Sequence, residues 1–412
     1  MAAKVSEALS AGPARSGDGA VTARATVSLL RLLGLFLRIG AIGFGGGMAV
    51  IVLMERELVE ERRLMPADEY LHGVGLSQVL GSFAVNAAFF VGYRRHGLMG
   101  GLASAAAFLA PSVAAVIGLS ALYFHYHHVP ALAGALAGLG PVVIALVLAA
   151  AWSMGRQAVT SYTAAVLALA ALAAGIGRVN AVWVLLAAGA AGLLMDRRTA
   201  VSPPPADPHG DAPAGGRPGA NGLVPWWLVP GLWPAGVQAA GLGSLAWTFA
   251  KAGSVFFGGG FVLVPILRHQ LVATLHWLTP REFLDGVAIS NLTPGPIAVL
   301  ATFAGYKLLG VGGALAATLG VFAPALVLMT VLSTTYTRFR ESGRFHAFMS
   351  GVSPAMVGLV ASAAALLWSS AMVSWRADAL MALALVVLVR WRWHPAFVLA
   401  IGVLSSSLGW VP

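Results

Sequence analysis

Apolar residues run along this chain in long blocks rather than in the one-sided stripes of a water-soluble fold. Six blocks occupy the first half, at 27–54, 73–93, 98–124, 131–153, 160–176 and 180–195. Six more follow in the same order, at 244–267, 284–306, 309–336, 351–373, 377–389 and 395–411. Most reach the roughly 17 residues that cross a hydrocarbon layer about 30 Å thick as a helix. None alternates polar and apolar residues as the strands of a membrane barrel do. The pattern predicts an all-α polytopic membrane protein. One extra block, 224–242, holds Pro225, Pro230 and Pro234, and counting it gives about 13 transmembrane segments. Before it, "VSPPPADPHGDAPAGGRPGANG" at 201–222 has no apolar periodicity and the Pro/Gly content of a disordered linker. The organisation predicted is a cytosolic tail (1–26), a first transmembrane domain (27–198), a linker (199–223) and a second transmembrane domain (224–412).

The two sets of blocks match without a gap over about a hundred residues at an offset of 213. Arg38 falls on Lys251, Gly40 on Gly253, Phe44 on Phe257, Glu69 on Glu282, Gly73 on Gly286 and Ser77 on Ser290. Gly92, Tyr93, Gly97, Pro111 and Pro141 fall on Gly305, Tyr306, Gly310, Pro324 and Pro354. Ala and Leu, which coincide by accident in membrane proteins, are not among these matches, so the chain is a duplicated unit. Basic residues set orientation. Arg15, Arg24 and Arg31 in the tail, the pair Arg94 and Arg95, Arg156, and the pair Arg197 and Arg198 mark cytosolic loops, while 55–69 is acidic and "HYHH" at 125–128 has no Arg or Lys. In the second half the bias changes sides: Arg338, Arg340 and Arg344 fall opposite "HYHH", and Lys307 falls opposite the Arg94 pair. An inverted repeat predicts that exchange, with 224–242 as the odd crossing and the C-terminus outside.

Composition agrees. Hydrophobic residues make up 58% of the chain and charged ones 10%, with a mean hydropathy of +0.84, too little polar surface for a soluble globule. The net charge of +10 sits in short clusters between blocks, which suits a membrane better than nucleic acid. With no cysteine, disulfides, thiolate metal sites and cysteine nucleophiles are excluded. No secretory cleavage pattern precedes the first block.

Candidate chemistry lies where the blocks are broken. "GFGGGM" (43–48) and "FFGGGF" (256–261) put Gly45, Gly46, Gly47 and Gly258, Gly259, Gly260 inside apolar runs. Such a break lets a helix stop and restart, and the N–H groups of the new start attract an anion. Arg38 and Lys251 precede the breaks, and a charge at that depth is costly unless it is paired or used. The plainer alternatives are that both snorkel to the interface and that the glycines only permit close packing. The second element is "GVGLSQVLGSFAVNAAFFVGY" (73–93) and "GVAISNLTPGPIAVLATFAGY" (286–306). Pro294, Gly295 and Pro296 interrupt the helix there, with Ser290, Asn291 and Thr293 beside them; Ser77, Gln78, Ser82 and Asn86 occupy the first copy. These neutral donors suit a tetrahedral oxyanion, or serve only as hydrogen bonds between helices. Inverted halves with interrupted helices are the architecture of secondary transporters, whose site forms where the halves meet.

The paired Phe-Gly-Gly-Gly, the Glu-(Phe/Tyr)-Leu-x-Gly at 69–73 and 282–286, "TPGP" and "GY" together resemble the chromate transporter family in its long, two-domain form, over roughly 31–195 and 244–411. That resemblance implies a plasma-membrane carrier exporting chromate, with sulfate as a related or competing anion, and places motif residues at the six glycines and at Thr293, Pro294, Gly295 and Pro296. The first half departs from it, with Gly81, Ser82 and Phe83 where the family often has Pro-Gly-Pro, so the two half-sites are expected to be unequal.

Glu69, Glu282 and Asp285 begin blocks and are candidates for coupling protons, against the plainer reading of carboxylates facing water at helix starts. His125, His127 and His128 suit a solvated loop better than a metal site. No nucleotide loop, cofactor motif or metal-ligand set is present. Three rivals to a carrier are an anion channel lined by the same elements, a membrane reductase, to which the absence of Cys and of axial ligands lends little support, and an assembly scaffold. A homodimer is compatible with any of them.

Overall fold

The computed structural model describes residues 28–43, 47–79, 82–126, 134, 137–199, 241–255, 260–340, 343–372, 374–391 and 393–410. The tail, most of the linker, residues 224–240 of the extra block, Gly45, Gly46, Gly258, Gly259, His127 and His128 lie outside them, as does the Gln78 side chain. Every regular element among the described residues is helical. The first half comprises α1 (Leu29–Ile42), α2 (Gly47–Glu55) with a π-helical stretch Arg56–Glu61, α3 (Ala67–Val79), α4 (Phe83–Tyr126), α5 (Leu139–Ala158), α6 (Tyr162–Ile176) and α7 (Ala181–Thr199). The second comprises α8 (Leu242–Ser254), α9 (Leu263–Leu267) between the 3₁₀ turn Gly260–Val262 and the π-helical stretch Arg268–Thr274, α10 (Pro280–Leu292), α11 (Leu300–Arg340), α12 (Gly343–Ala371), α13 (Trp375–Val386) and α14 (Pro395–Ser407).

The offset of 213 holds in three dimensions. α3 and α10 correspond residue for residue, and both halves carry a π-helical stretch at the same place. α1 buries Leu32, Leu35, Phe36, Ile39 and Gly40, the i, i+3, i+4 face of a helix. α8 buries Leu245, Thr248, Phe249, Ala252 and Gly253, the same five positions. Gly40 packs on the Phe108 backbone of α4, and Gly253 on that of Val321 in α11.

Both long helices contain a reversal. At His96 (φ −137°, ψ 23°) and Gly97 (φ 62°, ψ −158°) the chain leaves helical geometry, and Gly92 meets the backbone of Gly100, eight residues on. Gly310 repeats the turn at φ 58°, and Thr302 and Thr318 share a hydrogen bond of 2.7 Å across it. An L side chain adopts such a φ only at a cost, which is why glycine holds both turns.

The blocks 73–93 and 284–306 therefore do not cross as single helices. Arg94 Nε lies 2.5 Å from Glu69 Oε1, and Lys307 Nζ lies 2.6 Å from Glu282 Oε1. A segment whose ends are ion-paired returns to the face it left. Blocks 27–54 and 244–267 also fold back: Arg38 reaches Glu57 at 3.8 Å, and Gln270 Nε2 donates to the Thr248 carbonyl at 3.4 Å. A straight helix would hold either of those pairs tens of ångströms apart. The count of about 13 crossings is not confirmed, since four of the runs fold back on themselves as hairpins. The acidic loop 55–69 likewise shares a face with Arg94 instead of opposing it.

Among the described residues, four helices are long and apolar enough to cross a bilayer, within Phe83–Tyr126, Leu139–Ala158, Ile297–Val331 and Ala347–Trp368. Their outward sides are apolar as well, with Leu122, Leu315, Leu319 and Val327 exposed, as contact with lipid requires. The halves interlock. α6 lays Ala168 and Gly175 against Gly358 and Ser362 of α12. α5 and α12, equivalent in the repeat, lie side by side and run opposite ways, with Gly140 at Ala371 and Gly155 at Val357.

Candidate functional site

Four helix breaks meet inside the protein. In the first half the α1–α2 reversal and the α3–α4 turn come together where a Cβ on Gly47 would stand 3.1 Å from the Phe83 ring. In the second, a Cβ on Gly260 would stand 2.7 Å from the Ile297 side chain, so glycine permits the same close approach. The two tips then touch. Gly295 N–H donates to the Gly43 carbonyl at 3.2 Å, and the Ser112 hydroxyl of α4 donates to the Pro294 carbonyl. Gly295 sits at φ 115° with Ser112 where a Cβ would go, so neither the conformation nor the space admits another side chain.

The helix ends are balanced. Segments beginning at Gly47, Phe83, Gly260 and Ile297 present N–H groups to this junction, and those ending at Ile42, Val79, Ser254 and Leu292 present carbonyls. Partial charges of opposite sign nearly cancel in sum. The helix ends alone therefore give the junction little net field, and attraction for an anion there would have to come from cations.

The side chains predicted from sequence fall into three groups. Ser77 Oγ donates to the Gly73 carbonyl and Ser290 Oγ to the Gly286 carbonyl, both at 2.7 Å. Asn291 Nδ2 donates to Val287 at 2.8 Å, and Thr293 Oγ1 to Ser290 at 3.2 Å. In this conformation the three hydroxyl protons are committed to their own helices. What those oxygens still offer is lone pairs, which an oxyanion does not seek. Ser82, buried at the start of α4, has a hydroxyl without a partner among the described residues, and Asn86 one turn later is fully buried. Arg38 has its side chain 60% exposed and pairs with Glu57, while Lys251 is half-buried in the last turn of α8.

The three carboxylates part ways. Glu69 and Glu282 close the bases of their hairpins through Arg94 and Lys307. Glu282 also forms a capping box with Thr279, accepting from Thr279 N–H at 2.7 Å. Asp285 does not face water: it is buried, accepts from the Tyr123 hydroxyl of the other half at 2.8 Å, and lies 3.5 Å from Arg281 Nε. Its Oδ1 has no hydrogen-bond partner among the described residues.

Ser112 and Tyr123 were not singled out by the sequence. A signal existed, because Ser104, Ser112 and Ser120 recur every eight residues along 98–126 and all are fully buried.

The family model described as Chromate transporter matches residues 30–193 and again 243–407. A chromate transport protein of Cupriavidus metallidurans is 31% identical over 358 residues, 85% of either chain. A probable chromate transport protein of Synechococcus elongatus is 30% identical over 356 residues, 86% of this chain and 88% of the other. An uncharacterized transporter of Bacillus subtilis is 26% identical over 167 residues, 39% of this chain but 92% of its own length. A relative matched almost entirely by less than half of this chain is what a duplicated unit leads one to expect. No solved structure matches.

Proposed function

We propose a function from a plain premise: the chain belongs to the chromate transporter family. The protein is a secondary carrier that moves chromate out of the cell across a bacterial plasma membrane, with sulfate competing for or exchanging at the same site. The observation that carries this reading is the contact of Gly43, Ser112, Pro294 and Gly295, where hairpin tips from both halves converge. The anion sits among the N–H groups of the helix starts at Gly47, Phe83, Gly260 and Ile297. The glycines 45–47 and 258–260, with Pro294, Gly295 and Pro296, shape the cradle. Ser82 and Asn86, buried at the start of α4, contribute to it, and Ser77, Gln78, Ser290, Asn291 and Thr293 join when the helix breaks move. Arg38 and Lys251 supply net positive charge, Arg38 by giving up Glu57.

Alternating access follows from halves of opposite sense, each entered from its own side. Three observations support inversion. α5 and α12 are antiparallel. The segment 98–126, about 43 Å long at 1.5 Å per residue, starts at the Gly97 turn beside the Glu69–Arg94 base. Its far end, at Tyr123 and Phe124, packs on Asp285 and Tyr306, the latter at 6.3 Å, beside the Glu282–Lys307 base of the second half. Midway along it, Ser112 touches the tip at Pro294. On this reading the N-terminus, 55–69, Arg94 and Arg344 are cytosolic, and the two domains are the predicted transmembrane units on either side of the linker.

Export of a divalent anion is favoured by the membrane potential. About 100 mV contributes roughly 4 to 5 kcal/mol, near a 10³-fold gradient, without any proton coupling. Radiolabelled chromate uptake into everted vesicles is the test: saturable, potential-dependent uptake blocked by excess sulfate is expected. Uptake no greater than in vesicles lacking the protein would sink the reading, and non-saturable conduction would favour a channel.

A further inference from the structure

A second cationic site lies away from the junction. Arg268, in the π-helical stretch after α9, is only 8% exposed. Its Nη2 donates to the Leu366 carbonyl of α12 at 3.4 Å, and its Nε has no hydrogen-bond partner among the described residues. Arg178, from the turn between α6 and α7, and His269 line the same small cavity with Gly175, Pro265 and Ser362. Arg178 is close enough for the two guanidinium charges to repel. It is also held at φ 60°, a left-handed conformation costly for any residue but glycine. The ion pairs among the described residues leave out both arginines. Ser362 adds no donor, because its hydroxyl is committed to the Leu359 carbonyl.

A buried guanidinium facing a second cation, with no carboxylate among the described residues lining the cavity, is half of an interaction. Guanidinium forks match tetrahedral oxyanions in both charge and geometry. We infer that Arg178 and Arg268 hold an oxyanion between α6 of the first half and α12 of the second, either a soluble one such as sulfate or the phosphate of a phospholipid headgroup. The site is separate from the hairpin tips, since Arg268 lies eight residues beyond Gly260, about 12 Å along the helical path. α6 belongs to the first half, and α9 and α12 to the second. The bound anion therefore ties the halves together at one face, and a helical segment connects it to the tip.

The test reads binding and does not depend on chromate transport. Full-length protein in detergent, washed free of lipid, is titrated with sodium sulfate against sodium chloride at equal ionic strength, and separately with short-chain phosphatidylglycerol, while the melting midpoint is followed. One of the two ligands should raise the midpoint saturably. Arg268→Gln should raise the half-saturating concentration about tenfold or more, and Arg178→Gln several-fold, the scale of a lost charge-assisted hydrogen bond. A sulfate response that the arginine variants weaken identifies a soluble oxyanion here, since sulfate held at the hairpin tips would be unaffected by them, and a phosphatidylglycerol response that they weaken identifies a headgroup. Curves for both variants that superimpose on wild type for both ligands would overturn the inference. Arg178 is exposed, so its variant decides the matter if Arg268→Gln does not fold.

Discussion

Gly295→Ala tests the junction at its tightest point. At φ 115° an alanine adopts a conformation that costs about 1 to 3 kcal/mol. Its Cβ also meets the Ser112 hydroxyl, with the Ser112 Cβ only 3.1 Å away, and overpacking of that kind adds about 1 to 3 kcal/mol. If the backbone shifts to relieve either strain, the 3.2 Å bond from Gly295 N–H to Gly43 is lost as well. A total of at least about 2 kcal/mol corresponds to a roughly 30-fold loss of the competent conformation. The assay is initial chromate uptake into everted vesicles at equal amounts of inserted protein, with uptake expected to fall at least tenfold. Adding Ser112→Gly removes the steric part and should recover some of the activity, leaving the backbone part. Wild-type uptake by Gly295→Ala, within about twofold, would refute the claim that this contact belongs to the transport site.

Further predictions concern the scaffold. Tyr123→Phe removes the donor to buried Asp285 and should cost about 1 to 3 kcal/mol, read as a lower melting midpoint in detergent; Asp285→Asn, which removes the charge, should cost less. Gly97→Ala and Gly310→Ala should each lose about 1 to 2 kcal/mol and add when combined, because a Cβ at either glycine meets nothing within 4 Å and the cost is local backbone strain. Single cysteines introduced into this cysteine-free chain should react with an impermeant thiol reagent from one side at Arg63 and Arg94, and from the other side at His276 and Lys307. Labelling of Arg63→Cys and Arg94→Cys from opposite sides would contradict the hairpin between them.

The repeat was legible because it rests on residue identity: the offset set by Gly97 and Gly310 reappears as matching φ values of 62° and 58°, and the burial patterns of α1 and α8 coincide. The hairpins were not legible. Hydropathy measures the length of an apolar run, and two antiparallel helices of about a dozen residues joined by Ser82 or by Pro294–Pro296 have the same length as one crossing. The charges at the ends of those runs, Glu69 with Arg94 and Glu282 with Lys307, held the missing information, since opposite charges repeated at one spacing in both halves suggest a closed base. The polar side chains were found by type but not by state. Which carbonyl takes the Ser77 or Ser290 proton depends on backbone geometry, and Ser112 owes its place to a contact 182 residues away in the chain. Asp285 looked like a water-facing helix start because its partner, Tyr123, comes from the opposite half.

The central claim is that an oxyanion occupies the space where the tips meet, and Ser112 marks it. With no native cysteine to interfere, Ser112→Cys in sealed vesicles can be modified by a small methanethiosulfonate reagent in the presence and absence of sulfate. The account predicts that sulfate slows the modification saturably while equal chloride does not. Identical rates with and without sulfate would contradict it.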